Sequence, residues 1–119
     1  MSTQKYVSAI RAATFVGDDN VKNPGAKGVK VTLDVTVVPG VDTTQLVIEH
    51  KDPLSGKYTT VLAEVASAAV RTAVLTVYPG ITAAANVSAS DVLGDVYRVR
   101  VVHSAATNFT YSIGVAEIA

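Results

Sequence analysis

The nine residues from Val29 to Val37 alternate strictly, with Val29, Val31, Leu33, Val35 and Val37 interleaved with Lys30, Thr32, Asp34 and Thr36. Side chains of period two leave an extended chain on opposite faces, so the segment reads as a strand with one buried and one wet face. The pattern also bears on pairing. Parallel strands are usually covered on both sides and read as continuous apolar runs, so alternation of this kind favours an antiparallel sheet.

The pattern recurs along the chain. Pro39-Gly40 closes the first strand, a second runs from Gln45 to Lys51, and the turn Asp52-Pro53-Leu54-Ser55-Gly56-Lys57 follows it. These first two strands read as a hairpin. Tyr58 to Val65 starts a third strand, the small residues Ala66 to Ala69 loosen the chain, and Val70 to Tyr78 resumes it with Arg71, Ala73, Leu75 and Val77 on one side. After Pro79-Gly80, residues Ile81 to Asp95 lose periodicity and read as a long crossover with a helical turn near Ser90 to Leu93. Val96 to His103 alternates again, placing Tyr97, Val99, Val101 and His103 together, and the turn Ser104 to Asn108 leads to a last strand, Phe109 to Ile118. In that strand Phe109, Tyr111, Ile113 and Val115 share a side. Tyr6 to Phe15 is a weaker strand, and Gly17 to Gly28 reads as a mobile loop. The alanines of Leu62 to Val74 admit a helix as an alternative, which its Thr, Val and Ser residues oppose.

Seven to eight short strands separated by turn signals, with no convincing amphipathic helix, describe an all-β fold: an antiparallel β-sandwich or a jelly-roll-like barrel. At 119 residues, one domain spanning 1–119 is expected, with residues 1–15 as an extended N-terminal arm. No cysteine is present, so disulfides and thiolate metal sites are excluded and stability must come from packing. Ten basic and ten acidic side chains cancel, which argues against a general nucleic-acid binder and favours self-association. A 49% hydrophobic content with 17% charge implies either tight packing or a surface partly covered by a partner. No window approaches a membrane span, and the N-terminal Met-Ser-Thr-Gln-Lys-Tyr lacks the apolar core of a signal peptide. Synthesis in the cytosol, without membrane insertion, is the expectation.

Catalytic chemistry finds little to stand on, and the chain is not expected to be an enzyme or to need a cofactor. His50 and His103 are the two histidines, each within a strand and neither in a metal-ligand spacing. Glu49 points away from His50 as its strand neighbour, and Ser104 beside His103 makes no nucleophile elbow. Asp18-Asp19-Asn20 lacks the distal glutamate and alternating ligands of a calcium loop and reads as a turn. Gly25 and Gly28, with Lys22, Lys27 and Lys30, gather where a phosphate or an acidic surface could be met, but without the spacing of a phosphate-binding loop. Arg98 and Arg100 project from one strand face, suiting either an ion-pair ladder with acids on a neighbouring strand or a contact to a partner. The five tyrosines, 6, 58, 78, 97 and 111, are scattered through strands as core-edge residues are, and without tryptophan a sugar-stacking platform loses its best side chain.

Five stretches carry a resemblance: Glu49-His50-Lys51-Asp52-Pro53-Leu54-Ser55-Gly56-Lys57-Tyr58, Val77-Tyr78-Pro79-Gly80, Ser88-Ala89-Ser90-Asp91-Val92-Leu93, Tyr97-Arg98-Val99-Arg100-Val101-Val102-His103-Ser104 and Phe109-Thr110-Tyr111-Ser112-Ile113-Gly114-Val115. In order and spacing, residues 29 to 119 resemble a family of small tailed-bacteriophage virion structural proteins. The chain departs from it with Gly94-Asp95 in place of Pro-Arg and Tyr97 in place of Trp. The resemblance implies a head decoration, or cement, protein on the capsid surface of the virion. Its partners would be the major capsid protein and further copies of itself, a homotrimer being the expected assembly. No catalytic residue carries over. For the partner contact, Lys22, Lys27, Arg98 and Arg100 are the candidates for meeting acidic groups, and Tyr6 and Tyr111 for apolar anchoring, since Tyr and Arg are enriched at binding hot spots. Exposed edges in the N-terminal segment to Phe15 or in Phe109 to Ala119 are candidates for strand addition. A tail, neck or head-fibre component, and a β-sandwich that binds host glycans, are the rival roles.

Overall fold

The computed structural model describes residues 3–17, 21–22 and 25–119, with the backbone alone for 3–4 and 21–22. It is all-β, with no helix among the described residues. Seven longer strands are β1 (Thr3–Arg11), β4 (Gly28–Val37), β5 (Thr44–Lys51), β6 (Tyr58–Ala63), β7 (Arg71–Val77), β9 (Val96–His103) and β10 (Phe109–Ile118). Three two-residue strands join them: β2 (Phe15–Val16), β3 (Val21–Lys22) and β8 (Ser88–Ala89).

The strands form a β-sandwich. One sheet has the order β1-β10-β4-β7-β8 and the other β2-β9-β5-β6, with β3 also on β9. All pairings are antiparallel except the short β7–β8 contact. The apolar rows foreseen by alternation are the inner faces, except at Val37, which is 56% exposed at the end of β4. Val29, Val31, Leu33 and Val35 from β4, Leu46 and Ile48 from β5, and Val99 and Val101 from β9 lie in one core with Phe109, Ile113 and Val115 from β10. Burial of such side chains is the main favourable contribution to the fold, at roughly 1.5–3 kcal/mol each.

The expected hairpin between the first two strands does not form. β4 pairs with β10 and β7, whereas β5 pairs with β9 and β6, so the Pro39-Gly40 connection carries the chain from one sheet to the other. Alternation fixes which face is buried and leaves the partner open. The hairpin is instead β5–β6, closed by Asp52, which accepts hydrogen bonds from the backbone N–H groups of Leu54 and Ser55 and from the Ser55 hydroxyl at 2.6 Å. These bonds hold the Asp52 carboxyl below the usual carboxylate range. Neither the helical turn near Ser90–Leu93 nor the alternative helix in Leu62–Val74 is present; the first stretch is irregular chain just after β8 and the second spans the end of β6 and the start of β7. In the 17–28 loop, Val21–Lys22 pair with β9, while the proposed turn Asp18-Asp19-Asn20 lies outside the described residues.

Candidate functional site

Polar side chains that enter the sandwich do so as ties between its sheets. Tyr97 on β9 donates its hydroxyl to Glu117 on β10 at 3.1 Å, both residues being buried. Further along the same two strands, His103 Nε2 and the Tyr111 hydroxyl share a hydrogen bond of 2.8 Å. Arg71, on the inward row of β7, reaches the other sheet, donating to Glu64 and to the backbone oxygen and hydroxyl of Thr44 at 3.0 and 3.2 Å. Glu64 also accepts the Leu46 N–H at 3.0 Å. Burial pushes the phenols of Tyr97 and Tyr111 upward, Tyr111 to about 12, and pushes His103 downward. For His103 the nearby Arg11 guanidinium acts in the same sense; the Thr107 backbone opposes it without giving Nδ1 a hydrogen bond of ordinary geometry.

His103 therefore sits edge-on to Phe109 in the core, with Nδ1 unsatisfied, and the Ser104 hydroxyl accepts the Thr43 N–H at 2.8 Å. Among the described residues no group of three His, Asp or Glu side chains is placed to hold a metal ion.

The candidate contact residues whose side chains are described, Lys27, Arg98, Arg100, Tyr6 and Tyr111, do not converge on one patch. Arg98 and Arg100 lie together on the outer face of the β9 sheet, where Glu49 of the adjacent β5 bridges them: Arg98 Nε donates to one carboxylate oxygen at 2.8 Å and Arg100 to the other at 3.0 Å. Arg98 also stacks 3.8 Å from the centre of the Tyr58 ring. The cross-strand ladder is thus present, with Glu49 buried beneath two partly exposed guanidinium groups.

Tyr111 is fully buried, which corrects its assignment as a surface anchor: its inward register on β10 commits the ring to the core, under the Arg11 guanidinium. Tyr6 is half-buried and meets Phe15 edge-on at 5.0 Å, so β1 is tied to β2 across the sandwich. Lys27 is exposed just before β4, and Lys22 pairs its backbone with Val96, its side chain lying outside the described residues. The neighbouring glycines have backbone reasons. A Cβ on Gly28 would stand 2.1 Å from the Val77 oxygen, and Gly25 has φ +107°. At Gly94 a Cβ would come within 3.2 Å of the His50 Cβ.

A feature that alternation did not reveal lies on the β6–β7 side. There the crossover peels away from β7 and leaves a cleft of about 360 Å³ lined by Val65, Ala73, Val74, Leu75 and Val87, with Asn86 donating to the Ala63 carbonyl at its rim. The one sequence signal was Arg71 on an otherwise apolar row, which marks where the sheets must be tied across this side. No protein-family model matches the chain, and no curated protein is significantly similar to it.

Proposed function

We propose that this chain is a virion structural protein of a tailed bacteriophage, a capsid decoration protein that binds the major capsid protein on the outer head surface as a small symmetric oligomer, a homotrimer on the resemblance. The observation that carries the reading is the placing of apolar side chains at the rims of a polar-tied sandwich. Val7 and Ile10 on the outermost strand β1, Val41 and Leu54 in loops, and Val65 and Val87 at the cleft are each more than half exposed. Exposed apolar groups on the rim of a rigid scaffold favour assembly with partners. Repeated sites on a shell multiply weak contacts of this kind through avidity.

Cryo-EM reconstruction of the particles that carry this chain, with its copy number measured by quantitative mass spectrometry, tests the reading. Density at repeated lattice positions, in hundreds of copies, is expected. Density at the tail, neck or a head fibre, in tens of copies or fewer, overturns it in favour of that location. Absence from the particle, with measurable sugar affinity, transfers the bet to glycan binding.

A further inference from the structure

The five-stranded sheet ends in two strands whose outer edges no described strand covers fully, and they differ in character. At one end, β8 pairs with β7 only at Thr76 and Val77. Thr76 and Tyr78 donate their backbone N–H groups to Val87 and Ala89, away from β4. Backbone groups alternate in direction along a strand, so those of Thr72 and Val74 point to the same side, where β8 no longer reaches. The cleft opens beside them, its wall largely apolar but including Glu64 and Asn86, with Val74 38%, Val87 55% and Val65 68% exposed. At the other end, β1 pairs among the described residues with β10 alone, and presents Val7 and Ile10 at 76% and 70% exposure.

The geometry points to a contact between copies in which β1 of one protomer adds to the free stretch of β7 in the next, seating an apolar β1 side chain in the cleft. Strand polarity supports this occupant. The path β1-β10-β4-β7 is antiparallel at each step, so β1 and β7 run in opposite directions. Rotation about an axis parallel to the strands preserves those directions, so β1 meets the β7 of its neighbour antiparallel, the pairing found throughout this sheet. Such a head-to-tail contact generates a closed ring when the rotation divides a full turn. The zero net charge of the chain leaves no overall repulsion against it. The inference deepens the oligomer of the proposed function and rests on self-assembly alone, so it stands or falls in purified protein without a capsid.

Sedimentation velocity of the full chain and of Val74→Lys and Ile10→Lys tests it. The unaltered chain is expected to form a ring, and each variant to fall to the 12.3 kDa of one chain with its far-ultraviolet spectrum retained. Mixed together, the two variants still offer one intact β1 and one intact β7, so the mixture is expected to recover the mass of two chains and no more. A wild-type chain that remains monomeric, or a mixture that does not associate, overturns the contact. A second measurement avoids any folding defect of the lysine variants. The chain has no cysteine, and β1 and β7 are three strand spacings apart within one sheet, about 14 Å, beyond the reach of a disulfide. Val74→Cys and Ile10→Cys proteins, mixed and oxidised, are expected to crosslink to each other at least tenfold more than either does to itself. Self-linked Val74→Cys as the main product identifies a two-fold β7–β7 contact and overturns the proposal. A ring that forms yet does not bind particles refutes the capsid role and leaves the contact standing.

Discussion

Removing Glu64 should destabilise the sandwich by cutting a tie between its two sheets. Glu64 is 8% exposed and Arg71 16% exposed, and they join the end of β6 to the first residue of β7 across the gap between the sheets. Glu64→Leu leaves a guanidinium without its carboxylate and the Leu46 N–H without the acceptor it now has at 3.0 Å. Breaking one partner of a buried pair costs about 3–5 kcal/mol, and the residual exposure of Arg71 places this case near the lower end, at about 3 kcal/mol. Arg71→Met leaves the carboxylate its Leu46 N–H, so about 2 kcal/mol is expected. The double variant Glu64→Leu/Arg71→Met removes both charges and leaves chiefly one unsatisfied backbone donor, costing about 1–2 kcal/mol.

Urea unfolding followed by circular dichroism reads these values directly. For a domain of this size the urea dependence is about 1.5 kcal/mol per molar, so Glu64→Leu should lower the midpoint by about 2 M. The two single costs should exceed the cost of the double variant by about 3 kcal/mol, since coupled partners are not additive. A Glu64→Leu cost below about 1 kcal/mol, or a double variant equal to the sum of the singles, refutes the claim that this pair ties the sheets.

His103 is held neutral by burial, its folded pKa lying below the ordinary 6.5, so the unfolded chain binds the proton more readily. Stability should therefore fall as pH drops below about 6.5, by at most about 1.4 kcal/mol per pH unit, until the folded pKa is passed. His103→Gln should flatten that dependence in urea midpoints between pH 7 and 5, and an unchanged slope assigns the effect elsewhere. The opposite sign holds for Tyr111, raised from 10.0 to about 12: its contribution is intact below pH 10 and is lost as pH rises towards 12. Phenolate absorbance should show Tyr97 and Tyr111 ionising with unfolding, while a smooth titration of all five tyrosines in folded protein would contradict their burial. Gly28→Ala places a Cβ 2.1 Å from the Val77 oxygen and should cost about 3 kcal/mol, whereas Gly114→Ala meets nothing within 4 Å and should gain about 0.5 kcal/mol by restricting the unfolded chain. Thermal melts of the pair check both signs.

Most of the strands were legible because one physical rule, a buried face of period two, produces the alternation that marks them. β9 shows the rule at its clearest: Tyr97, Val99, Val101 and His103 are buried and Val96, Arg98, Arg100 and Val102 are not. What alternation does not encode is the neighbour. The same apolar row on β4 suits β5 as well as β10, and only the closed sandwich selects β10. β8 escaped notice because two residues cannot show a period, and its role is fixed by the backbone it offers to Thr76 and Tyr78. The Arg98–Glu49–Arg100 ladder was partly legible, since the arginines declare a shared face, while the bridging acid depends on the register that sets Glu49 opposite Arg98. By sequence Tyr111 suits both a core-side strand position and an anchor, and its register on β10 settles it as core. The cleft was beyond the sequence because it arises where the 81–87 crossover leaves β7, through a turn that places Asn86 at φ +63°.

The position of the polar ties gives the edges their significance. Tyr97–Glu117, His103–Tyr111 and Arg71–Glu64 each link one sheet to the other, and the first two sit at successive points along facing strands. Hydrogen bonds of this kind are directional, so they resist sliding of one sheet over the other in a way that apolar packing alone does not. β1 and β7 are edges of the same sheet, so the ties act on them by clamping that sheet against the other and fixing its twist, and under the proposed contact that geometry would pass from copy to copy around the ring. Weakening a tie should therefore loosen assembly as well as lower stability. Arg71 makes the connection shortest, since it begins the strand whose next residues, Thr72 to Val74, carry the uncovered edge. Arg71→Met at a temperature where the chain remains folded should still weaken association between copies, while Gly114→Ala, which raises stability elsewhere on the same sheet, should leave association unchanged. Equal effects of the two on association would mean that the edges respond to global stability alone and that the ties have no part in setting the interface.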